Sequence, residues 1–213
     1  MAYSTVNTTA GGHTIKVLVP ATYVDLAIIY FHGYGSNDGH ITSDADKTAA
    51  VNMLTDAGYL IASSDAAGNS WGNTAGQDAY RALGAYLDTN YAPAKYGFWP
   101  ESMGGCCGYL LAANGFTNLV GIYGASPVCS LANMFNGNSG AIYPPSIRTA
   151  FGIAANGSDY SSKTSGFDPL LATPPTRIPT RFVASTSDTI VNKAANSDAM
   201  SATFASSKAE RDV

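Results

Sequence analysis

Apolar positions along the chain fall into short runs separated by segments with helical spacing. Residues 26–31 form an unbroken apolar run, the signature of a strand buried on both faces. Residues 14–19 alternate, as suits an outer strand, and Pro20 ends them. Strand-sized runs recur at 59–62, 96–99, 119–123 and 181–184. Between them, 43–57, 75–90, 103–114 and 192–206 read as helices. In the first, Ala49, Ala50, Val51 and Leu54 share a face, Ser43 is the candidate cap and Gly58 the stop; in the second, Tyr80, Leu83, Tyr86 and Leu87 share one. Strands alternating with helices predict an α/β fold: a mostly parallel central sheet with helices on both faces and right-handed crossovers. Residues 126–176 break the rhythm with Pro127, Pro144, Pro145, Pro169, Pro174 and Pro175, and read as a Pro/Gly-rich lid-like excursion within a single domain spanning 1–213. Asp212 and Val213 read as the first step of a further strand.

In such a sheet the ligand lies at the carboxyl ends of the strands. His32, Asp65, Ser102, Ala125 and Asp188 all follow predicted strand ends, so one crevice can gather them. Trp99-Pro100-Glu101-Ser102-Met103-Gly104-Gly105 is strand, tight turn with serine at the tip, then helix: the layout of a nucleophile elbow. The alternative is an ordinary βα turn in which Ser102 caps the helix. A serine hydroxyl needs a base, an acid that orients the base, and donors for the developing oxyanion. The His32-Gly33-Tyr34-Gly35 loop can aim an N–H into the same crevice, which makes the backbone N–H groups of Tyr34 and Met103 the candidate pair. Asp188 is the candidate acid, with a helix cap as its alternative role; Asp65 is the rival, with a turn role as its alternative.

Composition narrows the partners. Charged residues are 12% of the chain against a usual ~25%, and the net charge is −4 with no basic cluster, which argues against nucleic acid. No apolar run is long enough to span a membrane, and the first nine residues have no signal-peptide pattern. The weakly charged Tyr/Asn/Ser/Thr-rich composition tilts the expected location toward extracellular or virion-associated rather than cytoplasmic. Cys106, Cys107 and Cys129 offer neither a disulfide framework nor metal spacing and read as buried thiols, with a Cys129 bridge left open.

Three motifs, Phe31-His32-Gly33-Tyr34-Gly35, Glu101-Ser102-Met103-Gly104-Gly105 and Ser187-Asp188-Thr189-Ile190-Val191, occur in the order and spacing of the α/β-hydrolase family, which the chain resembles over nearly its whole length. The resemblance implies the α/β-hydrolase fold, a Ser–Asp–His triad, acyl transfer to water and no cofactor or metal. It also implies that His32 and Gly33 support the oxyanion loop. The stretch 63–72 resembles the acyl-pocket loop of esterase-like members, phage-encoded hydrolase domains among them; Asn69 and Trp71 are therefore candidate pocket residues, with a core role for Trp71 as the alternative.

Two departures stand out. Pro100 occupies the place of the elbow's first glycine, and none of His13, His32 and His40 follows Asp188. The expected explanation is that the last strand and the catalytic histidine lie beyond Val213, with His40 the weaker candidate for the base. The sequence thus points to a serine esterase cleaving a carboxylic ester, with a glycan or a cell-envelope lipid as substrate. The competing reading is a non-catalytic hydrolase-fold module for binding or structure, such as a virion-tail component or a homo-oligomer.

Overall fold

The computed structural model describes residues 3–137, 140–172 and 178–203 and the backbone of 208–209. Eight strands form one sheet: β1 Tyr3–Ala10, β2 His13–Pro20, β3 Leu26–Phe31, β4 Leu60–Ser64, β5 Lys95–Pro100, β6 Leu119–Ala125, β7 Thr180–Val183 and β8 Lys208–Ala209, in the order β1-β2-β4-β3-β5-β6-β7-β8. The β1–β2 and β2–β4 pairs are antiparallel and the rest are parallel.

β1 is an addition to the sequence reading. Its residues are polar on both faces and mostly exposed, so it carries no alternation to detect. The turn that makes it is legible: Gly11 and Gly12 adopt φ of +59° and +86° between Ala10 and His13, the left-handed geometry that closes a two-residue hairpin.

The α-helices are α1 Ala45–Asp56, α2 Thr74–Tyr91, α3 Gly104–Ala113, α4 Leu131–Phe135, α5 Tyr143–Phe151, α6 Tyr160–Lys163 and α7 Ala199–Thr203. Two helix starts differ from expectation. Asp44, not Ser43, caps α1, its carboxylate accepting the Lys47 N–H, because a 3₁₀ turn over Asp38–Thr42 uses up the preceding residues. The predicted helix over 192–206 begins as a π turn, Ala194–Asp198, before α7; residues 204–206 lie outside the described set. The widened turn fits Asn196, fully buried, whose Oδ1 accepts the Cys129 and Ser130 N–H groups at 2.9 Å each.

The strand periodicity sorts into two cores. Ala27, Ile29 and Phe31 point to the face covered by α2 and α3, against Tyr80, Leu83 and Leu111. Tyr30 points to the other face, with Ile41, Val51 and Ile61. Among the described residues, that second face is sparsely covered. An apolar cleft of about 840 Å³ runs between α1 and the middle of the sheet, lined by Ile28, Met53, Leu54, Trp99, Tyr123 and Arg181 among others, and Met53 is 66% exposed.

The excursion between β6 and β7 carries α4, α5 and α6 and joins a third cluster, in which Leu131, Met134 and Ile147 pack on Trp71, Met103 and Cys106. It is tied down: Trp71 Nε1 donates to Ser146 Oγ at 2.8 Å, and Asn73 Nδ2 to the Ala150 carbonyl at 2.8 Å. Pro174, Pro175, Asp212 and Val213 fall outside the described residues. Among the described residues, no helix is long and apolar enough to cross a membrane.

Candidate active site

β3 and β5 are parallel neighbours, yet the connection from β3 runs to one side of the sheet and that from β5 to the other. A crevice opens at such a switch point, beyond the carboxyl ends of the two strands. The Gly33-Tyr34 loop follows β3 and Ser102 follows β5, so the topology brings two of the three motifs to this point. The approach is close: a methyl group built on Gly33 would sit 3.4 Å from Ser102 Cβ and 3.9 Å from its Oγ.

Ser102 has φ +49°, left-handed backbone that costs a non-glycine residue on the order of 1 kcal/mol or more. The turn is held from outside. Ser102 N–H donates to the Ala125 carbonyl at 3.1 Å, its carbonyl accepts from Val128 N–H at 2.7 Å, and Glu101 N–H donates to the Phe31 carbonyl at 3.0 Å. Small residues let α3 pass: a Cβ on Gly104 would collide with the Phe31 carbonyl, and one on Gly105 would lie 2.5 Å from the Val128 oxygen. Pro100 is accommodated in the same way, since a Cβ on Gly108 would come within 3.1 Å of the proline Cβ. Met103, not Ser102, occupies the N-cap of α3, and no side chain caps this helix end.

The donors are distinctive. From Glu101 to Cys106 every backbone N–H except that of Met103 is bonded to a carbonyl. In the facing loop, His32 N–H donates to Tyr80 Oη, Gly35 N–H to Asn69 Oδ1 at 2.7 Å and Ser36 N–H to the Gly33 carbonyl. The N–H groups of Gly33 and Tyr34 have no acceptor among the described residues. Unbonded N–H groups on both sides of a serine make a ready site for an anionic oxygen.

Asp188 follows β7 in a turn that fixes its carboxylate. Oδ1 accepts Ile190 N–H at 2.8 Å and Val191 N–H at 2.9 Å, and no described residue bonds Oδ2. Val191 packs in the same cluster as Met103 and Tyr34, which seats this turn on the elbow's foundation.

No family model matches the sequence, and no curated protein does. Solved structures do match. An esterase of Pyrococcus furiosus, Pf2001, superposes with a TM-score of 0.70 at 16% identity, over 99% of this chain and 83% of that one. An S-formylglutathione hydrolase from Agrobacterium tumefaciens gives 0.67 at 11% identity, over 99% and 85%. Est1E from Butyrivibrio proteoclasticus gives 0.65 at 15% identity, over 99% and 88%. The chain has the α/β-hydrolase fold.

Within this α/β-hydrolase fold the remaining polar candidates have other partners. His32 is buried, with Nδ1 2.8 Å from the Gly33 carbonyl and Nε2 3.0 Å from the Asp65 carbonyl, so it pins the β3 loop to the β4 loop. Asn69 does the same through Gly35. Trp71 is 1% exposed and packs in the third cluster beneath the loops, its ring 5.8 Å from that of Tyr34. Asp65 takes the turn role. It pairs with His13 Nδ1 at 2.9 Å and accepts the Thr14 and Ala67 N–H groups. Burial pushes its pKa up, but these bonds outweigh that and hold the carboxyl below the ordinary value.

His40 Nδ1 lies 2.7 Å from Tyr30 Oη, which donates to Glu101 Oε2 at 2.6 Å, so Nδ1–H is the donor to the phenol oxygen. Burial holds the His40 pKa below the ordinary value. Lys47 completes this group, 3.3 Å from Glu101 Oε1. Among the described residues, none of the three histidines is hydrogen-bonded to Ser102. Cys106, Cys107 and Cys129 are free and buried, and burial pushes Cys107 up to about 11. No cluster of three metal-ligating side chains occurs among the described residues.

Tyr143 and Ser146, which close over Trp71 and Tyr34, lacked any sequence signal. They sit in the proline-rich excursion, and only the fold brings them to the loops after β3 and β4.

Proposed function

We propose that this chain is a serine hydrolase acting on carboxylic esters, with Ser102 as nucleophile. The observation that carries the reading is a serine at φ +49° flanked by the unbonded N–H groups of Met103 and Tyr34. In the first step Ser102 Oγ bonds to the ester carbon while its proton passes to a base. The carbonyl electrons move onto oxygen, where the two N–H groups hold the charge. Collapse expels the alcohol, which takes the proton from the base, and water then releases the acyl group by the same route. Asp188 orients the base through Oδ2.

Each of His13, His32 and His40 is hydrogen-bonded to a partner other than Ser102, so none of the three is assigned as the base. A glycan-borne acyl group or an envelope lipid is the proposed substrate class, in keeping with the low surface charge. The competing reading, a non-catalytic module of a virion tail or another assembly, draws on the same commitment of the histidines.

The test is p-nitrophenyl acetate hydrolysis by the 213-residue chain with imidazole supplied as a surrogate base. The expected result is imidazole-dependent turnover above the imidazole-only rate, lost in Ser102→Ala. Equal rates for the two proteins would leave only the non-catalytic reading.

A further inference from the structure

Three aromatic rings meet beside the candidate oxyanion donors. Tyr34 and Tyr143 stand edge to face, 5.3 Å apart at 81°, and Trp71 lies 5.8 Å from each. Trp71 is buried and serves as the floor, whereas both tyrosines are half-buried and neither hydroxyl is bonded to a described residue. The corner is also fixed. Trp71 is bonded to Ser146 of the helix that carries Tyr143, Asn73 is bonded to the carbonyl of Ala150 in the same helix, and Asn69 holds Gly35 next to Tyr34. Ile142, 60% exposed, extends the apolar surface past Tyr143.

A fold does not need two half-buried phenols held nearly at right angles by hydrogen bonds between the loops and α5. Such a corner offers one ring for offset stacking and one for an edge contact, the two arrangements aromatic pairs prefer. We infer that Tyr34 and Tyr143 form a subsite for a planar aromatic group attached to the scissile ester. The inference rests on the hydrolase reading for where the ester lies, since a methyl group built on Gly33, next to Tyr34, would sit 3.4 Å from Ser102 Cβ. The subsite sets which ester is preferred, and it holds its ligand without charge. The aromatic ring can enter on the acyl side, as in a benzoate, or on the alcohol side, as in a phenyl ester.

The experiment separates this from the question of catalysis by measuring binding in Ser102→Ala. Methyl benzoate, phenyl acetate and methyl cyclohexanecarboxylate are titrated against the ¹H–¹⁵N spectrum, with circular dichroism confirming the fold of each variant. At least one aromatic ester is expected to bind and to shift the Tyr34 and Tyr143 amides, about five- to tenfold more tightly than the saturated ring. Which aromatic ester binds better tells the acyl side from the alcohol side. Tyr143→Ala should weaken that binding by a similar factor, while Tyr143→Phe, which keeps the ring, should retain it. Equal affinity for the cyclohexyl ester, no binding of either aromatic ester, or binding indifferent to Tyr143→Ala would overturn the inference. Aromatic binding that persists in a protein whose Ser102 proves unreactive would overturn the hydrolase reading and leave the subsite standing.

Discussion

Gly105→Ala is expected to destabilise the protein by about 3 kcal/mol or more, at the upper end of overpacking costs. The added methyl would lie 2.5 Å from the Val128 carbonyl oxygen, 2.7 Å from the Val128 nitrogen and 2.9 Å from Pro127 Cβ. Two of these atoms are backbone, and Val128 N–H is itself bonded to the Ser102 carbonyl, so the obstacle cannot swing aside as a side-chain end would. Alanine's better helix propensity returns only about 1 kcal/mol. Relief therefore requires α3 to move away from the loop after β6, which drags Ser102 with it. In urea unfolding the midpoint should fall markedly. Gly121→Ala is the control, because its methyl would meet only the Pro179 oxygen at 3.7 Å, and it should stay within about 0.5 kcal/mol of the parent. Similar midpoints for Gly105→Ala and the parent would mean that the close passage of helix and loop is not a constraint.

Trp71→Ala is expected to cost about 3–5 kcal/mol, the range for removing a large buried aromatic. The indole is 1% exposed and packs in the cluster that holds Met103 and Val191. Its loss also strips Ser146 Oγ of its donor and removes the floor under Tyr34 and Tyr143. Trp71→Phe keeps most of the apolar volume and loses the hydrogen bond, so it should cost roughly 1–2 kcal/mol. The same urea series reads both variants. A small effect of Trp71→Ala would show that the excursion between β6 and β7 is not anchored through this residue.

The parts of the molecule that were legible in the sequence are those where one physical rule acts alone. Residues 26–31 are a strand with the predicted bounds because a strand buried on both faces needs an unbroken apolar run. The elbow was legible because its glycines answer to steric contact with Phe31 and Val128, which no other residue type satisfies. The late strand that precedes Asp188 was legible as the run at 181–184.

What escaped did so where tertiary contacts decide. β1 is polar on both faces because it is an edge, and only Gly11-Gly12 announced it. Asn196 reads as an ordinary helical residue, yet two distant N–H groups in the excursion select the π turn around it. Tyr143 is one tyrosine among 13 in the sequence, and its partner Tyr34 lies more than a hundred residues away. The Pro100 departure proved compatible with the elbow, since Gly108, one turn into α3, makes room for it.

Whether Ser102 is an activated nucleophile is decided by covalent labelling. The protein is treated with a fluorophosphonate in the presence of imidazole and digested, and the modified residue is located by mass spectrometry. One phosphonyl adduct is expected, on Ser102, absent from Ser102→Ala and from protein unfolded before treatment. No adduct on Ser102, or adducts spread over surface serines and tyrosines at equal rates in native and unfolded protein, would contradict it.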